Sequence, residues 1–287
     1  MNLQLPQLGV SKEESAKIAD LFAPYAPLSH DPWGASRDTL LKVAPFVNFL
    51  YEKYFRVSAV GLDEVPEGPA IFIANHGGQI PIDGLMVVYA LLAKAQKNRL
   101  TRAMVERWVP TLPFIGSFFM KLGQIVGEQK NCLQLLKNKQ SVLVFPEGVK
   151  GSGKTIEHRY QLQAFPSGFY RLAIEAQVPI IPVVLVGTEE SYPAIANFKP
   201  LAKLLRAPYF PITPSFPLLG PLGLVPVPSK ISMKFLPAIY PELTKEASDK
   251  EVFAEVEKIK KSMQAAIKKG LKKRGSNILQ GEAFSDS

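Results

Sequence analysis

Three runs constrain this chain more than anything else in it: "AIFIANH" at 70–76, "SVLVFPEG" at 141–148 and "VPIIPVVLVG" at 178–187. Each is apolar at consecutive positions and rich in β-branched residues. A strand that is apolar on every residue has no face to give to water, so both faces must be covered. Between the runs lie segments of helical character: about 83–97, "NCLQLLKNK" at 131–139 and "GFYRLAIEAQ" at 168–177. A further strand, "KISMKFLPAI", occupies 230–239. Buried strands alternating with helices predict an α/β fold, a central mixed, largely parallel sheet flanked by helices on both faces. Pro179 and Pro182 are expected near the start of the third run.

The ends read differently. Residues 11–60 read as helical, with an interruption at Pro45. At the other end, Val252, Val256, Ile259, Met263, Ile267 and Leu271 form a helical stripe, and between Glu257 and Glu282 there are eight Lys or Arg residues and no acid. The expected organisation is therefore a helical region packed on the core (1–60), an α/β domain (61–243), and a basic C-terminal helix with a flexible, frayed tail (244–287). No internal repeat appears, and no linker is long enough to divide the chain.

With 34 Lys+Arg against 25 Asp+Glu, the formal charge is +9. That suits an anionic membrane, anionic small molecules or nucleic acid, and charge alone does not choose. Cys132 is the only cysteine, which excludes an intrachain disulfide and a cysteine metal cluster. His30 and His158 stand far from His76, and no metal-ligand spacing occurs. The N-terminal residues lack the basic-then-apolar order of a secretory signal. The longest uncharged run, Ala207 to Ser229, holds seven prolines, which forbid a spanning helix. A cytoplasmic protein, peripherally associated with a membrane, is expected.

The loops at the strand ends carry the chemistry. "GVKGSGKT", Gly148 to Thr155, has the spacing of a nucleotide-binding P-loop and follows a strand. Its context is wrong, because Pro166 and Gly168 arrive where the phosphate-binding helix should run, and no later strand supplies a magnesium-binding acid. What remains is a loop with three cations, Lys150, Lys154 and Arg159, a plausible anion site at the carboxyl edge of a sheet.

In order, "ANH" with Asp83, "LPFIGSFFMKLGQIV" at 112–126, "FPEG" at 145–148 and "VPIIPV" at 178–183 resemble the glycerol-phosphate and lysophosphatidate acyltransferases. The likeness covers about residues 60 to 240. It implies that His76 is the general base, that Asp83 orients it, and that Phe145, Pro146, Glu147 and Gly148 help form the acceptor site. The acyl donor would be acyl-coenzyme A or an acyl carrier protein, and the acceptor a lysolipid hydroxyl, most simply 1-acylglycerol 3-phosphate. No bound cofactor, metal or nucleic acid is expected; membrane lipids are. Two departures stand out. Six residues separate His76 from Asp83, where the family usually has four, and Gly127 and Glu128 occupy the place of an acceptor arginine. Lys150 replaces a second arginine, supplying charge without the guanidinium fork.

The residues suit that chemistry. A neutral imidazole can take the alcohol proton near neutral pH, and a carboxylate on its other nitrogen sets the tautomer. Asn75, which precedes the histidine, and Gly77 and Gly78, which remove side chains where substrate must approach, are expected to meet substrate. No Gly-x-Ser-x-Gly elbow is present, so direct attack by the bound alcohol is expected, without an acyl-enzyme. Two alternatives stay open: an acceptor alcohol without a glycerol phosphate, and an inactive lipid-binding scaffold of the same fold.

Overall fold

The computed structural model of the 287-residue chain describes residues 9–77, 81–111, 114–204 and 210–285. It opens with α1 (Lys12–Asp20) and α2 (Arg37–Phe49), then β1 (Ser58–Val60), β2 (Ile71–Ala74), α3 (Ile82–Tyr89) and β3 (Thr101–Val105). Next come α4 (Ile115–Lys121), β4 (Ile125–Val126), α5 (Gln129–Lys137), β5 (Ser141–Val144), α6 (Val149–Ser152), α7 (Gly168–Ala176) and β6 (Ile180–Val186). After α8 (Thr188–Ser191), β7 (Ala196–Asn197) and β8 (Pro211–Ile212) pair around α9 (Lys199–Leu204), and β9 (Ser232–Phe235) precedes α10 (Asp249–Arg274).

The main sheet has the order β1-β9-β6-β2-β5-β3-β4. Every neighbouring pair is parallel except β6 with β9, so the sheet is mixed and largely parallel. The apolar runs divide between two cores by the two-residue period of a strand. Phe72, Leu143, Ile181, Val183 and Leu185 face α1, α2 and α3, while Ile71, Ile73, Val142, Ile180, Val184 and Val186 face α5, α7 and α10. That is why these strands carry no polar face.

Several sequence expectations change. Residues 58–60 are not helical but an edge strand, because β9 offers a partner: Ser58 pairs with Ser232 and Val60 with Lys234. Pro45 lies inside α2 without interrupting it, and Leu40, Ala44 and Val47 bury the helix's inner face. Packing of that face offsets the backbone bond that proline forfeits. The strand β3 was not anticipated because Arg102 sits within it. Its guanidinium is fully buried against Asp31 and donates from Nε to Gln140 Oε1 at 2.9 Å.

The C-terminal helix buries Val252, Val256, Ile259, Met263 and Ile267, whereas Leu271 is only half-buried. The tail beyond it is not frayed through residue 285. Phe284 and Ala283 are buried, Ala283 N–H donates to Ser232 Oγ at 3.1 Å, and Lys230 N–H donates to Ile278 O at 2.9 Å. Gly270 makes room for this return: a Cβ there would sit 2.6 Å from the Phe284 ring.

Candidate active site

Five strands, β6, β2, β5, β3 and β4, point the same way, so their carboxyl ends share one edge of the sheet. At the end of β2, Asn75 is fully buried and bonds both ways across to β6: its Oδ1 accepts from Leu185 N–H at 2.7 Å and its Nδ2 donates to Leu185 O at 3.0 Å. The side chain thus replaces one more rung of backbone pairing. Asn75 was expected to meet substrate; its burial makes it a strut that releases the next residue, His76, from the sheet.

His76 Nδ1 lies 2.5 Å from Asp83 Oδ2. Six residues separate them in sequence, and the pair still meets, with Asp83 in the first turn of α3. Asp83 is completely buried and also accepts from Gly77 N–H at 3.0 Å and Gly84 N–H at 2.7 Å. A carboxylate can only accept, so in the neutral imidazole the hydrogen between the two sits on Nδ1 and the lone pair is on Nε2. Among the described residues, no protein group hydrogen-bonds Nε2. The ring is braced by Phe145, stacked with centroids 4.4 Å apart.

Glu147 has a different place from the acceptor-site role expected of it. Its side chain is buried, its Oε1 accepts from His76 N–H at 2.9 Å, and its Oε2 accepts from Gln163 N–H at 2.8 Å. It holds the histidine's backbone. Lys154 likewise was expected to meet an anionic substrate. It is 4% exposed and spans Glu147 Oε2 at 3.3 Å and Glu189 Oε1 at 3.0 Å. Of the two cations in the P-loop-like segment, Lys154 therefore spends its charge inside the protein, while Lys150 is exposed. Glu189, at the end of β6, accepts from Tyr160 N–H at 3.0 Å, and burial pushes its carboxyl up to about 7 against the opposing pull of Lys154.

Two glycines permit this crowding. A Cβ on Gly77 would lie 2.4 Å from Glu189 Cγ, and one on Gly151 would lie 2.5 Å from Glu147 Cβ and 2.9 Å from His76 Cβ. Gly148 has φ +53° and turns the chain from β5 into α6. Gly78 lies outside the described residues.

His76 opens onto a cavity of about 780 Å³. Its walls are mostly apolar, with Met104, Val105, Phe119, Phe169 and Leu172 among them, and Phe145 and Gly148 at the histidine end. Pro146 is buried and does not line it; Lys150 and Arg159 are exposed and do not line it either. The cation that does is Arg107, at the mouth, with its Nε 3.4 Å from Glu128 Oε1. Cys132 reaches the cavity wall from α5, but burial pushes its thiol up to about 11, so it remains a thiol near neutral pH. Glu189, Arg107 and the β3 wall were not singled out from sequence. The paired acids Glu189 and Glu190, separated by two residues from the Val186 end of the apolar β6, are the signal that could have found Glu189.

A largely parallel sheet thus carries at its carboxyl edge a histidine–carboxylate pair that opens on an apolar cavity. Residues 56–186 match the family model described as Acyltransferase, a segment running from just before β1 through β6 and holding His76, Asp83 and Glu147. An uncharacterized protein of Mycobacterium tuberculosis is 42% identical over 195 residues, covering 67% of this chain and 54% of that one. The mouse "DGAT1/2-independent enzyme synthesizing storage lipids" is 27% identical over 195 residues, 66% of this chain and 57% of that one. The chain thus spans about half the length of the curated relatives it matches. The crystal structure of the 1-acyl-sn-glycerophosphate (LPA) acyltransferase PlsC from Thermotoga maritima shares the fold, with a TM-score of 0.51 at 18% identity, covering 88% of this chain and 94% of that one.

Proposed function

We propose that the protein is an O-acyltransferase that moves a fatty acyl group from a coenzyme A or acyl carrier protein thioester to the hydroxyl of a lipid alcohol. The observation that carries this is the His76–Asp83 pair, 2.5 Å apart, at the end of an apolar cavity of about 780 Å³. Nε2 of His76 takes the hydroxyl proton as the alcohol oxygen attacks the thioester carbonyl. Asp83 holds Nδ1–H and stabilises the imidazolium that results. The tetrahedral intermediate collapses, the carbon–sulfur bond breaks, and the proton on Nε2 passes to the departing thiolate. The cavity walls suit a hydrocarbon chain better than a polar donor group.

A lysophospholipid such as 1-acylglycerol 3-phosphate is the first choice of acceptor, with Arg107 at the mouth as the cation nearest the cavity. Two observations favour a second choice, a neutral lipid alcohol. Glu106 lines the same wall, and Lys154 is occupied by Glu147 and Glu189. The printed name of the mouse relative, which refers to storage lipids, points the same way. The intact pair argues against an inactive scaffold.

The experiment is a panel of lysophosphatidate, other lysophospholipids, glycerol phosphate and neutral acylglycerols with an acyl-coenzyme A donor, run with His76→Ala and Asp83→Asn. Removing the base should lower turnover at least ~100-fold. A folded His76→Ala protein with parental turnover refutes the assignment, and the best acceptor separates the two choices.

A further inference from the structure

No helix among the described residues is long and apolar enough to cross a membrane, and α10, with 26 residues, is no exception. Its apolar stripe is buried in one core with the outer faces of β2, β5 and β6. Two of its polar side chains reach further than that packing. Gln264 bonds twice to residues 160–163: its Oε1 accepts from Leu162 N–H at 2.9 Å, and its Nε2 donates to Tyr160 O at 2.8 Å. Arg274, in the last turn, places Nη2 2.6 Å from Glu190 Oε1, and Glu190 Oε2 accepts from the Tyr160 hydroxyl. Tyr160 is buried with φ +60°, a left-handed conformation that an aromatic residue keeps only where its surroundings dictate it.

The same four residues hold the active-site acids from the other side. Tyr160 N–H donates to Glu189 Oε1 at 3.0 Å, and Gln163 N–H donates to Glu147 Oε2 at 2.8 Å. Glu147 Oε1 in turn accepts from His76 N–H at 2.9 Å. The backbone groups of this short segment are therefore divided. Tyr160 O and Leu162 N–H are given to α10, while Tyr160 N–H and Gln163 N–H are given to the two acids behind the histidine. The Tyr160 and Leu162 side chains already bury themselves in the α10 core. What the Gln264 bonds add is the exact seat of the segment against the helix, and with it the position of Glu147.

We propose that Gln264 and Arg274 are positioning residues for His76, acting through residues 160–163 and Glu147. Neither lines the cavity, so neither meets substrate. The C-terminal helix thereby sets the place of the base: hydrogen bonds run from its middle to the segment, from the segment to Glu147, and from Glu147 to the histidine's backbone. The inference rests on the acyltransferase reading for the task of His76, but its spectroscopic test does not.

The test compares full-length variants in acyl transfer and in proton NMR of the imidazoles. Gln264→Leu removes both bonds and keeps an apolar stem. It should lower kcat about tenfold with KM within about twofold, since a base misplaced by about an ångström or less costs turnover and not ground-state binding. Arg274→Met should act in the same direction. Arg274→Lys should recover most of that loss, because Nε and Nη1 of Arg274 have no hydrogen-bond partner among the described residues and one charged donor suffices. The hydrogen on His76 Nδ1, held against buried Asp83, gives a downfield resonance that reports on the pair without substrate. Gln264→Leu and Arg274→Met should shift or broaden it and leave the His30 signals in place. Val256→Ala is the control for lost stability: it opens a cavity in the α10 core, eight residues before Gln264, and should lower Tm with kcat and the resonance at parental values. Where a variant fails to fold, Gln264→Glu, which keeps the acceptor for Leu162 N–H and loses the donor to Tyr160 O, replaces it under both readouts. Parental kcat and an unmoved resonance in the Gln264 and Arg274 variants overturn the proposal, as does an equal loss in Val256→Ala. A moved resonance in a protein inactive on every acceptor upholds the positioning of His76 and refutes the catalytic reading.

Discussion

Lys154 is a cation that this protein cannot lose quietly. Its side chain is 4% exposed, and its ammonium lies between the buried carboxylates of Glu147 and Glu189, at 3.3 and 3.0 Å. Lys154→Met keeps most of the apolar stem and removes the charge, leaving two buried acids facing one another. Removing one partner from a buried ion pair costs about 3–5 kcal/mol, mainly through the charge left behind. Here the cost should depend on pH. Burial already holds the Glu189 carboxyl at about 7, above its ordinary 4.5, so from about 4.5 to 7 the folded state binds more protons than the unfolded one. Stability therefore falls as pH rises through that window, and loss of Lys154 pushes the Glu189 value further up and steepens the fall. Urea denaturation at pH 5.5 and pH 8 should show Lys154→Met losing the larger amount at pH 8. Adding Glu189→Gln should recover part of the loss and flatten the slope, since Gln still offers a carbonyl to Tyr160 N–H. A Lys154→Met protein that loses under about 1 kcal/mol at pH 8, with no pH dependence and no rescue, would refute the reading of this cluster as a buried ionic brace.

Two further outcomes follow from close packing. Gly151→Ala places a methyl group against Glu147 Cβ and His76 Cβ, at 2.5 and 2.9 Å in the unrelaxed backbone, so it should cost about 1–3 kcal/mol in denaturation and lower kcat by displacing the histidine. A variant with unchanged stability and kcat would mean that α6 shifts freely. Phe284→Ala should destabilise the fold by roughly 3 kcal/mol, because the ring is buried over Gly270 and its removal opens a cavity. A melting temperature equal to the parent's would mean that the tail contributes nothing.

Much of this protein was legible without coordinates. The consecutive apolar positions of "IFIA", "SVLV" and "IIPVVLV" demand cover on both faces, and a sheet between two helical layers is the result. His76 and Asp83 could be selected because a histidine after a buried strand and an acid opening the next helix are both local signals. Strands interrupted by charge were not legible. β3 hides Arg102, whose burial depends on Asp31, 71 residues earlier, and β1 exists only because β9 runs beside it.

The roles of the charged loop residues lay furthest beyond the sequence. Lys150, Lys154 and Arg159 look alike in a one-dimensional reading, as three cations in a glycine-rich loop. Only the folded chain separates them, turning Lys154 inward to Glu147 and Glu189 and leaving Lys150 and Arg159 in water. The physical reason is that an apolar pattern reports burial through local, additive transfer energies, whereas the environment of a charge depends on which distant partner the fold brings within about 3 Å of it. Sequence alone determined the layers and the histidine loop; tertiary structure decided which charges hold that loop and which remain free to meet a ligand.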